Sequence, residues 1–109
     1  MAFDESLAGG IRDVLARKLN IEEKKMFGGV GFLLNGNTLV GVWKDSLIVR
    51  IGPDAFEEAL LEPHVKEFDI TGRPMKGWIM VEPEGVEDEN KLKNWIERAN
   101  KFVETLPKK

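Results

Sequence analysis

An Asn-Gly-Asn segment at residues 35–37 separates two apolar stretches, residues 26–34 and 38–43. Asparagine and glycine tolerate the positive φ angles of a tight turn, so this segment predicts a β-hairpin. Residues 44–46 form a second short turn before another apolar stretch, residues 47–51. Strands that follow one another through such short turns pair antiparallel. The middle of the chain is therefore predicted to form an antiparallel sheet.

Helical periodicity and further strand patterns surround this sheet. Apolar spacing predicts helices over residues 4–19 and 87–106, and a short helix over residues 53–63. Alternating patterns predict two more strands, residues 66–70 and 76–82. The order helix, three strands, helix, two strands, helix predicts one α+β domain over residues 1–109. We expect a two-layer sandwich, with a five-stranded antiparallel sheet and helices mainly on one face.

Three details of the first predicted helix can be checked directly. Asp4 is placed to cap its N-terminus. Leu19 continues its apolar face, and Asn20 is a plausible left-handed residue at its end. Gly9 and Gly10 weaken the helix by up to about 1 kcal/mol each relative to alanine, so tertiary contacts are needed to hold the helix in place.

Composition excludes several classes of protein. The 109 residues carry a net charge of −3 and contain no cysteine, which excludes disulfides and cysteine-based metal sites. No apolar run approaches the roughly 18 residues of a membrane helix. The N-terminus lacks the basic and apolar regions of a secretory signal. We therefore expect a cytoplasmic protein of bacterial type that does not associate with membranes.

No residue pattern predicts catalysis or a cofactor. The glycine cluster at residues 28–31 lacks the third glycine of a dinucleotide fingerprint, because Leu34 occupies that position. These glycines instead predict a bulge, or a position where the backbone of a helix lies close to the sheet. His64 is the only histidine, and no partner for a catalytic triad or a zinc site is evident. We expect a protein without enzymatic activity, metal or cofactor.

Aromatic residues beside cations suggest a binding surface. Trp43 is followed by Lys44, and Trp78 lies two residues after Lys76. Such pairs can stack nucleic-acid bases, although tryptophan also simply covers a sheet, and packing is the favoured interpretation. Arg50 ends the third predicted strand and adds a further cation to this set.

Three segments carry a family resemblance. KMFGGVGF at residues 25–32, LVGVWKDSLIVR at residues 39–50 and FDITGRPMKGW at residues 68–78 resemble the N-terminal domain family of TfoX/Sxy. The resemblance implies an α+β fold similar to secretion-chaperone-like folds, and it establishes no catalytic residue. The positions that match the family are Gly28, Gly29, Arg73, Pro74, Lys76 and Gly77. The candidate binding surface comprises Gly28, Gly29, Trp43, Lys44, Arg50, Arg73, Lys76 and Trp78.

The resemblance also implies a function. Full-length members regulate natural competence with an activator of the cyclic-AMP receptor type, and they carry a second, helical domain after this one. Because the sequence ends at Lys109 without that domain, we expect a stand-alone domain. The leading hypothesis is a non-enzymatic module that engages another protein in transcriptional regulation.

The sequence is also compatible with two other functions and with a homodimer. A nucleic-acid binder would use Lys24, Lys25 and Arg50, although the net charge is acidic and does not favour it. A small-ligand sensor would have a pocket near Gly29 and Trp78. A homodimer could form through an exposed sheet face or an edge strand.

Overall fold

The computed structural model describes residues 4–26, 29–68 and 76–108. Within them, short apolar segments and tight turns give an α+β domain. Its helices are α1 (Glu5–Leu15), α2 (Phe56–Leu60) and α3 (Glu89–Val103), with a 3-10 turn at Pro83–Gly85. Its strands are β1 (Ile21–Met26), β2 (Gly29–Leu34), β3 (Asn37–Trp43), β4 (Ser46–Arg50), β5 (Val65–Glu67) and β6 (Trp78–Val81).

All six strands form one antiparallel sheet in the order β1-β2-β3-β4-β6-β5. The α+β class and the antiparallel sheet are confirmed, whereas the prediction of five strands is wrong. The missed strand is β1, whose residues Glu22 to Lys25 are charged and exposed. A strand at the edge of a sheet does not need an alternating apolar pattern, and charges there discourage pairing with other chains.

The predicted turns are confirmed. Asn35 and Gly36 adopt φ angles of 53° and 84°, so both turn residues have the positive φ of a type I′ hairpin. Lys44 has a φ of 56° in the turn between β3 and β4, where Trp43 pairs with Ser46.

One face of the sheet forms the hydrophobic core with the helices. Along β4, Leu47 and Val49 alternate onto this face, and both are fully buried. Helix α3 packs against β3 and β4 and contributes Ile96, while α1 packs against α3. Trp95, which lies in the predicted helix over residues 87–106, is 7% exposed. The main core thus joins this face of the sheet to residues of all three helices.

Helix α1 is shorter than predicted. The Asp4 carboxylate accepts hydrogen bonds from the amides of Ser6 (2.8 Å) and Leu7 (3.1 Å), which confirms the cap. The helix ends at Leu15, and Leu19 is 81% exposed, so its placement on the buried face is wrong. Asn20 is left-handed, with a φ of 63°, but it leads into β1 instead of ending the helix.

A junction of two glycines joins the ends of β4 and β6. The amides of Ile51 and Gly52 both donate to the carbonyl of Gly77, at 2.9 and 3.0 Å. Gly52 and Gly77 have φ angles of 92° and 93°, a region that side chains rarely adopt. A Cβ on Gly52 would lie 2.6 Å from the ring of Phe102 in α3. The junction therefore holds the end of β4 close to the C-terminal part of α3.

Candidate functional site

The predicted binding surface separates into two groups at opposite ends of β4. Trp43 pairs with Ser46 at the first residue of β4, and Trp78 pairs with Arg50 at its last residue. Four residues of strand separate these two positions by about 13 Å. Gly28 and Arg73 lie outside the described residues. The structure thus brings Arg50 and Trp78 together but does not join them to Trp43 and Lys44.

The group at the first end is explained by packing. The Lys44 ammonium lies 4.7 Å from the centre of the Trp43 ring. A Cβ on Gly29 would collide with the carbonyl oxygen of Val42 on β3, so the chain needs glycine there. The close approach at Gly29 is therefore between neighbouring strands, not between the sheet and a helix as predicted.

The group at the second end surrounds Arg50 with aromatic rings. The Arg50 guanidinium carbon lies 5.3 Å from the ring centre of Trp78 and 5.9 Å from that of Phe102. Phe68 extends the group, with its ring centre 6.0 Å from that of Trp78. Burial against these rings lowers the pKa of Arg50 below its ordinary value. Lys76 is exposed, two residues before Trp78. We call Arg50, Phe68, Trp78 and Phe102 the Arg50 cluster.

The largest of the described cavities lies elsewhere, between the N-terminal parts of α1 and α3. It has a volume of about 500 Å³, within the usual range for binding sites. Buried Leu7, Val86 and Leu92 give it an apolar floor. Five carboxylates also line it: Asp4, Asp13, Asp45, Glu87 and Glu89. We call this cavity the acidic groove.

The carboxylates of the acidic groove have no cationic side chain beside them among the described lining residues. None of the described residues that line it is a lysine or an arginine. Its carboxylates come from the N-cap and the last turn of α1, the turn between β3 and β4, and the start of α3. Asp4 caps α1, and Glu89 lies in the first turn of α3. Asp13 and Asp45 have no such helix-capping role. Among the described residues, no group of three or more potential ligands could hold a metal ion.

Sequence reasoning missed this groove because its residues are distant in the chain. Asp13 and Asp45 are separated by three strands, and neither lies in a motif. The one local signal is the acidic segment at residues 87–89, and such a segment equally suits the N-terminus of a helix.

The residues proposed for a nucleic-acid binder, and those proposed for a small-ligand sensor, do not lie together in the structure. Lys24 lies on β1, three strands away from Arg50 on β4, and forms a salt bridge with Glu22 at 3.7 Å. Gly29 lies beside Trp43, whereas Trp78 lies at the far end of β4, so one small ligand would not contact both.

A homodimer formed through a sheet face would use the face that points away from the main core. Gly41 and Ile48 are paired across β3 and β4 at its centre, and both are buried. The described part of this face therefore offers no broad apolar surface at its middle.

Together, the fold and these surfaces define a small α+β domain that presents an acidic groove at one end and a partly buried arginine at the other. Residues 13–103 match the family model of the TfoX N-terminal domain. This match covers most of the chain, and the chain belongs to the TfoX N-terminal domain family. No curated protein and no solved structure matches it. Among the described residues, no helix has the length and apolar character needed to cross a bilayer.

Proposed function

We propose that this chain is a non-enzymatic protein-interaction module with a regulatory role, and that the acidic groove binds a basic, amphipathic segment of its partner. The observation that supports this function best is an apolar floor beneath five carboxylates, with no described cation among the lining residues. Apolar side chains of a partner would fill the floor, and its lysines or arginines would meet the rim.

Charge complementarity is the reason to name a basic partner. The whole chain has a net charge of −3, so five carboxylates in one groove exceed the charge of the entire molecule. Such a patch steers a cationic partner towards the groove and disfavours anionic ones. The same charges repel the phosphates of nucleic acid, and we therefore propose a protein as the partner.

Family membership gives this proposal its biological setting. The TfoX N-terminal domain family is associated with the regulation of competence, and we place the interaction in transcriptional regulation within the cytoplasm. The partner would then be a regulatory protein with an exposed basic helix or tail.

The proposal can be tested with a helical peptide made of leucine and lysine. We expect the peptide to bind the wild-type chain and to shift the amide resonances of Leu7, Val86 and Leu92. The double variant D13N/D45N should bind about three- to tenfold more weakly, because two rim charges are removed. The double variant E67Q/E97Q is the matched control, since it removes two exposed charges that do not line the groove.

Two results would contradict the proposal. The first is a peptide that causes no shifts at the groove floor. The second is an equal loss of affinity in both double variants, which would indicate attraction to the net charge alone.

A further inference from the structure

We propose that Arg50 forms a binding site for an oxyanion, a phosphate or a carboxylate group, at the end of β4. This site is separate from the acidic groove and does not depend on it. Phe102 of the Arg50 cluster lies 13 residues along the chain from Glu89 of the groove, a distance of about 20 Å in helical conformation.

The backbone fixes the position of Arg50. Arg50 is paired with Trp78 in the sheet, and the next two amides, those of Ile51 and Gly52, donate to the carbonyl of Gly77. The Trp78 and Phe102 rings, from β6 and α3, both contact the guanidinium. Contacts with aromatic rings leave the N–H groups at the edge of a guanidinium available as donors. The cluster therefore orders the arginine without occupying its hydrogen-bonding edge.

Arg98 provides a comparison within the same chain. Its guanidinium carbon lies 4.2 Å from the centre of the Trp95 ring, a contact like that of Arg50 with Trp78. Arg98 also donates two hydrogen bonds to the Glu62 carboxylate, at 3.1 and 2.7 Å. No carboxylate of the described residues forms a hydrogen bond or salt bridge with Arg50. Arg50 thus has the aromatic contact of Arg98 but lacks its anion.

The missing anion has an energetic consequence. A partly buried cation loses hydration, and this loss is offset when an anion pairs with it. Burial lowers the pKa of Arg50, as expected for a cation that loses hydration. Phosphate and carboxylate groups match the planar donor edge of arginine with two parallel hydrogen bonds. An external oxyanion would accept hydrogen bonds from Arg50, as the Glu62 carboxylate does from Arg98.

The test is a titration with inorganic phosphate, and in parallel with acetate, at ionic strength held constant with chloride. The three tryptophan indole N–H resonances are followed by NMR. We expect the Trp78 resonance to move and saturate, while that of Trp95 stays in place because Arg98 is already paired. A larger affinity for phosphate or for acetate identifies which oxyanion the site prefers.

Three variants decide whether Arg50 is responsible. R50K keeps the charge but loses the planar donor edge, and it should bind at least about tenfold more weakly. R50M should show no saturable shift. R17M removes an exposed arginine that has no salt bridge with a described residue, and it should behave as the wild type. Saturable binding that persists in R50M, or that is lost equally in R17M, would overturn the proposal. So would a wild-type chain that responds to neither anion.

Discussion

Gly52 is a residue at which a side chain would be strained for two separate reasons. Its φ of 92° is unfavourable for any residue with a Cβ, and the added atom would lie 2.6 Å from the ring of Phe102. Gly9 in α1 is the opposite case, because a Cβ there meets nothing within 4 Å. Substituting each of these two glycines with alanine therefore compares a position that requires a positive φ with a helical position that does not.

We expect G52A to lower the free energy of unfolding by about 1–3 kcal/mol, because the strained backbone and the contact with Phe102 add together. The matched control, G9A, should raise it by up to about 1 kcal/mol, since alanine favours a helix over glycine. Urea denaturation followed by circular dichroism measures both. If G52A were as stable as the wild type, the assignment of a strained junction between β4 and β6 would be wrong.

Single residues also show the limits of sequence reasoning. Arg50 and Trp78 were both chosen as candidates, but 28 positions separate them, and only the pairing of β4 with β6 places them together. Phe102 lies in the predicted helix over residues 87–106, and nothing in that helical pattern predicts its contact with Arg50. The hairpin at Asn35 and Gly36 was predictable because turn geometry depends on local residues alone.

Among the elements, α1 and β1 are joined by a salt bridge with two hydrogen bonds. Arg12 of α1 donates to the Glu23 carboxylate of β1 at 2.8 and 2.7 Å. The hydrogen bonds from Arg12 hold the pKa of Glu23 below its ordinary value of 4.5. Because the folded-state pKa is the lower one, the pair stabilises the fold above that ordinary value. This contribution is lost as the pH falls through the folded-state pKa.

The variant E23Q tests this pair. At about pH 7 we expect E23Q to be less stable than the wild type by about 0.2–1 kcal/mol, because the two side chains are partly exposed. The difference should shrink as the pH falls below the ordinary value of 4.5 and the Glu23 carboxylate of the wild type becomes protonated. E97Q, which removes an exposed glutamate without a salt bridge to a described residue, should show no such trend. A difference that does not change with pH would refute the assignment.

Elements differ in how well the sequence predicts them. Helix α3 was recognised from its apolar spacing, although its ends were placed two or three residues too far out. Strand β1 was missed because four charged residues at the edge of a sheet give no apolar pattern. A strand of this kind is specified by its partner, β2, and not by its own composition.

At the scale of the whole molecule, the two candidate surfaces lie at opposite ends of α3. Glu89 and Leu92 line the acidic groove, and Phe102 lines the Arg50 cluster. The chain thus offers carboxylates at one end and, at the other, an arginine that forms no salt bridge with a described residue. This arrangement suits a module that contacts a basic protein segment and an anionic group at the same time.

The acidic groove depends on how the whole chain folds, so the sequence alone could not predict it. Its five carboxylates come from the region of α1, the turn after β3 and the start of α3, and only the packing of α1 against α3 assembles them. The order of the predicted helices and strands indicated the fold class, and the family resemblance predicted the membership because its motifs are contiguous in the chain.

The central claim is that the chain acts by binding a partner protein in the acidic groove. The most direct measurement is affinity capture from native, nuclease-treated lysate, with captured proteins quantified by mass spectrometry for the wild type, D13N/D45N and E67Q/E97Q. We predict one stoichiometric partner with a basic segment, retained by the wild type and E67Q/E97Q and depleted with D13N/D45N. Capture that is equal for all three proteins, or that disappears with nuclease alone, would contradict the claim.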